Sequence, residues 1–508
     1  MTSLLQLQKN LWWRVARRAR ALSTAGNDRL GAALEDFERS FPDKFRRVPR
    51  RTFLERAKGA DWIFVGDYHS LPQAQLETAR LVEELLPETL ALEAFPSCYQ
   101  AALDLWAESR RSAASLLDMV EFGRLWGDVP RAGFERLLET ARQLGVRLLA
   151  IDHPLRAADL PAPFEERDAH MARVLSDHAK TPCMVLVGDV HLSPNSLPGR
   201  LGRSRSVLFH QNHAPYYFRL LQEDKDIPAL LQISSRRYVW QHTHPLLVEE
   251  SFLHTVVGDG MAQELAAEEF LPVLLTALGE LFDIEPPPEP TVLATFDAEQ
   301  RDLLALLVPE GAKTTRLFER LRIQGTAVLG EGGPVLLHVP GVNHMTEAAA
   351  KWMFHCLAEP LAPRAGRGPT FFHELRREAF GFLGSCLINP LRQVRGLDWF
   401  REKLGLRFDE DHAHRLEAAF GLALEQGRDV PLHRLPAKDS VEYVVLAHVL
   451  GQELGKRLLP VFRSGPEGRA GIVAAMLSPA PDDEAIQEGV RSLSRLATIR
   501  QPAAARPS

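Results

Sequence analysis

Trp62-Ile63-Phe64-Val65-Gly66-Asp67-Tyr68-His69 is a run of four apolar residues closed by a glycine and followed by side chains able to do chemistry. Four residues is strand length, and the lack of alternation marks a strand covered on both faces, as in parallel sheets. The pattern returns at Met184-Val185-Leu186-Val187-Gly188-Asp189-Val190-His191. Working outward, apolar runs occupy 90–92, 147–151 and 207–209, and strand-like segments follow at 229–233 and 237–240. Between them, 74–86, 133–144 and 165–179 carry helical periodicity. Strands alternating with helices predict an α/β fold over 51–250, with a mostly parallel or mixed sheet flanked by helices.

Beyond that domain the character changes. Residues 251–285 read as a helical connector, and Pro286-Pro287-Pro288-Glu289-Pro290 as a stiff spacer, since proline fixes the backbone and removes donors. Helical patterns at 298–307, 313–321, 346–357, 373–382 and 412–424 predict a mainly α domain over 286–497, with a break at 360–369 and a disordered tail over 498–508. At the other end, 1–50 forms an N-terminal segment. There Leu4, Leu11, Val15 and Leu22 recur at helical spacing beside Lys9, Arg14, Arg17, Arg18 and Arg20. This basic amphipathic helix is expected to pack on the protein's own body; its alternative is a peripheral membrane or protein contact through residues 1–22. Without an uninterrupted apolar core or a cleavage site it does not read as a signal peptide, so the expected location is cytoplasmic, at most peripheral to the membrane.

Composition narrows the class. The chain has 508 residues, 45% hydrophobic and 25% charged, an ordinary globular balance with room for several domains. A net charge of −6 argues against a broad nucleic-acid surface, so no nucleic-acid partner is expected. Cys98, Cys183, Cys356 and Cys386 form no CxxC pair and read as apolar thiols.

Four expected strands end in residues suited to chemistry: Gly66-Asp67-Tyr68-His69, Glu93, Asp152-His153 and Gly188-Asp189-Val190-His191. In open α/β sheets that edge is where ligands bind. His69, His191, Glu93, Asp67 and Asp189 are the candidate catalytic residues. Gly66, Tyr68, Asp152, His153 and Gly188 are candidates for holding a ligand, and His69 and His191 for holding a metal. Glycine permits close approach to the backbone, while Asp and His two residues apart can converge on one ligand or one proton. The two turns read as opposite walls of one cleft, joined by Glu93 and Asp152. Glu93 interrupts the apolar LALEAF and needs a partner or a task. Arg167-Asp168 reads by default as an exposed helical ion pair; Gln211, Asn212 and His213 are a weak further signal at the same edge.

These residues carry a resemblance. VGDYHSLPQAQ, LALEAF, LWGDVPRAGFERLLETARQLGVRLLAIDHP, ERDAHMARVL and MVLVGDVHL, spread over about residues 55–245, resemble the ChaN-like family of the haem-binding uptake and Tiki superfamily, which has erythromycin-esterase-like relatives. The resemblance implies a protein that binds haem or another iron porphyrin, with His69, His191 or Tyr68 as axial donors. One alternative is a hydrolase, using either a divalent metal or a His/carboxylate general base. Another is a degenerate, non-catalytic interaction protein. The family's first turn usually reads Gly-Glu-x-His; Asp67 here is shorter by one methylene, about 1–1.5 Å.

Overall fold

A computed structural model describes residues 4–24, 28–158, 163–193, 196–201, 205–257, 259–294, 317, 320–329, 334–338, 341–358, 371–392, 416–417, 419, 421 and 440–477. The chain divides into two compact units, Lys9–Asp259 and a second made of Met1–Gln8 with Gly260–Ser508.

In the first unit eight strands form one sheet: β1 (Arg46–Val48), β2 (Trp62–Asp67), β3 (Thr89–Pro96), β4 (Arg147–Asp152), β5 (Cys183–Gly188), β6 (Ser206–Gln211), β7 (Ala229–Gln232) and β8 (Arg237–Gln241). Their order is β1-β7-β8-β6-β2-β5-β3-β4. All pairings from β8 to β4 are parallel, and β7 and β1 add an antiparallel edge. This is the expected mixed sheet; β1, only three residues long, left no readable sequence pattern.

The helices are α1 (Leu4–Thr24), α2 (Asp28–Arg39), α3 (Arg50–Ala57), α4 (Pro72–Leu85), α5 (Gln100–Glu108), α6 (Ala113–Met119), α7 (Phe122–Trp126), α8 (Arg131–Gln143), α9 (Phe164–His178), α10 (Leu197–Arg200), α11 (Ala214–Gln222) and α12 (Pro245–Val257). Side chains alternate along a strand, so each central strand feeds two cores. Ile63, Val65, Leu90, Leu92, Leu186 and Phe209 pack with α4 to α8. Phe64, Ala91, Ile151, Val185 and Val187 pack with Met171 and Leu175 of α9. Burial on both sides is why these strands read as unbroken apolar runs. In α1, Leu11, Val15 and Ala19 are buried while Trp13 stays 55% exposed.

The connections position the crevice. The chain leaves β2, passes over β5's place to β3 and β4, returns to β5, and then crosses to β6 on the far side of β2. Connections leaving in opposite directions open the sheet at its carboxyl edge beside β2 and β5.

The second unit contains the helices Val342–Ala358, Phe371–Ile388, Val441–Arg463 and Pro466–Leu477, and is helical as expected. It also contains a three-stranded sheet, with Val335–Leu337 between Thr326–Val328 and Val292–Ala294. Runs of three residues are too short to show a period. Patterns at 346–357 and 373–382 fall inside observed helices. That at 298–307 and most of those at 313–321 and 412–424 lie outside the described residues, as do 360–369 and the tail.

Candidate functional site

The carboxyl ends of β2, β3, β4 and β5 bring their charged residues into one cluster around Glu93. β3 shifts register between Leu92 and Pro96, and within that irregularity lies Glu93, 2% exposed. One carboxylate oxygen, Oε2, accepts the Gly188 backbone N–H at 2.6 Å; the other, Oε1, accepts Arg167 Nη2 at 2.5 Å and lies 3.2 Å from His191 Nε2. Burial alone would raise the Glu93 pKa, but the charges of His191 and Arg167 hold it well below the ordinary carboxylate range.

Two imidazoles point their Nε2 atoms at this carboxylate, and each is held from behind by an aspartate. His69 donates from Nδ1 to Asp67 Oδ2 at 2.7 Å, and its Nε2 stands 3.7 Å from Glu93 Oε2, outside hydrogen-bond range. Asp67 is fixed in turn by Gln75 Nε2 at 2.5 Å, from the first turns of α4. His191 donates from Nδ1 to Asp168 Oδ1 at 2.6 Å and stacks on Phe164, centroids 4.2 Å apart. The histidines differ in access, His69 having 20% of its side chain exposed and His191 4%. Burial would lower the His191 pKa, but Glu93 and Asp168 overcome it and carry the value to about 9.

The two Gly-Asp-x-His turns are therefore not equivalent. They end adjacent parallel strands, and the register pairs Asp67 with Gly188, not with Asp189. Because side chains alternate, that one-residue offset sends Asp67 and Asp189 to opposite faces of the sheet. Asp189 lies against Gly66, where a Cβ would come within 1.7 Å of its Oδ1, and 3.3 Å from His210 Nδ1. There burial, then the charges of Asp67 and Glu38, raise the Asp189 pKa well above the ordinary value. His191 consequently takes its carboxylate from α9. Gly188 remains at the cluster, its Cβ direction 3.4 Å from His69 Nε2 and 3.5 Å from Glu93 Oε2. Tyr68 is half-buried, and burial, followed by Glu249, Asp189 and Glu38, raises its pKa well above the phenol range.

Asp152 joins through Arg167, whose Nε donates to its Oδ1 at 2.9 Å. His153 turns aside: its ring lies 4.9 Å from that of His170, and its Nδ1 accepts the Leu155 N–H at 3.2 Å. Arg167 and Asp168, read as an exposed pair, instead turn inward, the half-buried Arg167 onto Glu93 and Asp152 and the buried Asp168 onto His191. Helical periodicity gave a signal, since Asp168 shares a buried stripe with Met171, Ala172 and Leu175. Trp126, within the LWGDVPRAGF stretch that carries the resemblance, was not among the candidate site residues. Its ring packs on His69 at 4.2 Å, and its indole N–H donates to the Ala94 carbonyl at 2.9 Å. Gln211, the weak signal, donates to the Gly66 carbonyl at 2.8 Å and the Ala74 carbonyl at 3.1 Å, tying the first turn to α4. Among the described residues, no group of three or more His, Cys, Asp or Glu is disposed to hold a metal ion.

Chemically, the cluster offers one accessible imidazole with an oriented lone pair, backed by a buried and charge-compensated carboxylate. Residues 53–160 match the family model described as haem-binding uptake, Tiki superfamily, ChaN. That stretch carries Asp67, His69, Glu93, Trp126 and Asp152, so the resemblance read from the sequence stands on one half of the cluster. No curated protein and no solved structure matches the chain.

Proposed function

We propose that the carboxyl edge of β2 to β5 binds haem or a related iron porphyrin, with His69 as its axial nitrogen donor. The observation that carries this is the His69–Asp67 bond with Nε2 left unbonded. Metal-bound histidines usually give their second N–H to a carboxylate in this manner, which fixes the ring and raises its basicity. The family match supports the porphyrin class. The other two candidate donors fit poorly. His191 Nε2 lies within 3.2 Å of Glu93, its side chain is only 4% exposed and its pKa is raised to about 9, while Tyr68 would have to ligate as a phenolate that its surroundings disfavour. Trp126 beside His69 supplies an apolar flank for a flat macrocycle. Bound iron would supply a Lewis-acidic centre that His69 Nε2 would hold; the chain's own part is to orient that nitrogen through Asp67 and Gln75. Hemin titrated into the protein should give a Soret shift that is lost in His69→Ala and kept in His191→Gln. An identical shift in His69→Ala would remove the assignment.

A second reading is favoured by the convergence of two aspartate-held imidazoles on Glu93. In it the site is a hydrolase in which His69 takes a proton from water at Nε2. The imidazolium so formed gains the Glu93 charge 3.7 Å away, and Arg167 and His191 keep that carboxylate ionised and in place. Haem-free protein screened with ester and peptide substrates should then turn over. Loss of turnover in His69→Ala supports this reading, and an inert wild-type protein counts against it.

A further inference from the structure

We propose that Arg156 recognises a carboxylate on the ligand that occupies the His69 site; this rests on the reading that the site binds a ligand. Arg156 stands on the 3-10 turn Pro154–Ala158 that follows β4. Its guanidinium lies over the Trp126 ring, Cζ 3.7 Å from the centroid, and Trp126 in turn packs on His69. His69, Trp126 and Arg156 thus form a continuous row of imidazole, indole and cation.

The donors of Arg156 are largely unspent. Its hydrogen bond is from Nη2 to the Leu125 carbonyl at 3.3 Å. Its carboxylate neighbour, Asp152 Oδ2, is 3.7 Å from Nη1, and the other oxygen of Asp152 already accepts Arg167 and the His153 N–H. Arg156 Nε is buried and has no partner among the described residues. Arg167 shows the contrast, with Glu93 and Asp152 both bonded to its guanidinium. Arg167 thus bonds both Glu93 and Asp152, while Arg156 has Asp152 Oδ2 within ion-pair range but outside hydrogen-bond distance, and it is 28% exposed beside the Trp126 ring. Burial, then the Arg167 charge, lower the Arg156 pKa against the opposing pull of Asp152 and Glu93. A guanidinium fixed by an aromatic face keeps its edge free, and that planar fork matches a carboxylate in two-point fashion.

The carboxylate could belong to a porphyrin side chain or to a small acid substrate, and the test separates these. Full-length wild type, Arg156→Gln and Arg156→Lys are titrated with hemin and with hemin dimethyl ester, and separately by calorimetry with 1-naphthoate. Wild type should prefer hemin over its ester by about tenfold or more, as expected of a charge-assisted pair. Arg156→Gln should bind both alike, and Arg156→Lys should recover part of the preference. Equal binding of hemin and ester by wild type overturns the proposal while leaving the porphyrin reading intact. If neither porphyrin binds, that reading has failed and naphthoate decides: binding lost in Arg156→Gln upholds carboxylate recognition, and no binding to wild type overturns it. Unchanged circular dichroism and urea midpoint in Arg156→Gln separate recognition from folding.

Discussion

Glu93 is the residue on which the cluster turns, because it is the anion that makes two buried cations tolerable. Removing the charge leaves Arg167 with Asp152 and His191 with Asp168 as their remaining carboxylates, and takes away the anion that stands between the two cations; breaking one side of a buried ion pair generally costs about 3–5 kcal/mol. Glu93→Gln is therefore expected to lower stability by that order, read as a drop in urea midpoint. A midpoint within about 0.5 kcal/mol of wild type would show that the compensation comes from elsewhere. Glu93 was legible in the sequence because a carboxylate inside LALEAF violates the apolar pattern. Arg167 was not, because a charged residue on a helix reads the same whether it faces water or a carboxylate, and Asp168 was legible only through the helical stripe it shares with Met171 and Leu175.

At the scale of elements, the site depends on how closely α8 approaches α4. Gly133 of α8 meets the first turn of α4, where a Cβ would stand 3.0 Å from the backbone of Pro72 and 2.5 Å from Gln75 Oε1. Gln75 is the side chain that holds Asp67 behind His69. Gly133→Ala is expected to cost about 1–3 kcal/mol in strain, against which alanine's helix propensity returns about 1. The variant should fold with slightly reduced stability and with hemin binding weakened through a displaced Gln75. Hemin affinity equal to wild type would disconnect the helix contact from the site. Helix 74–86 was visible in the periodicity, but which residue of it serves the site was not, since Gln75 looks like any polar position until α8 and β2 close around it.

For the molecule as a whole, the cluster imposes a pH dependence of stability. His191 is raised to about 9, so its contribution is fully present below the unfolded value near 6.5 and is lost as pH rises toward 9. Glu93 is depressed, so its contribution is present above the ordinary carboxylate value and is lost as pH falls through its folded value. Urea midpoints should therefore fall between pH 6 and pH 9, by on the order of 2–3 kcal/mol, and the slope should flatten in His191→Asn. A wild-type curve flat over that range would contradict the His191 geometry. The amino-acid sequence by itself determined the α/β class, the strands of the sheet other than β1, and the edge at which the acids and histidines gather. It could do so because the central strands are buried on both faces and the residues at their ends follow their own strands locally. Only the tertiary structure decided which acid serves which histidine. The two turns are alike as strings, but the parallel register offsets them by one residue. That offset turns Asp67 toward its own His69, sends Asp189 to the other face, and leaves His191 to be held from a distant helix.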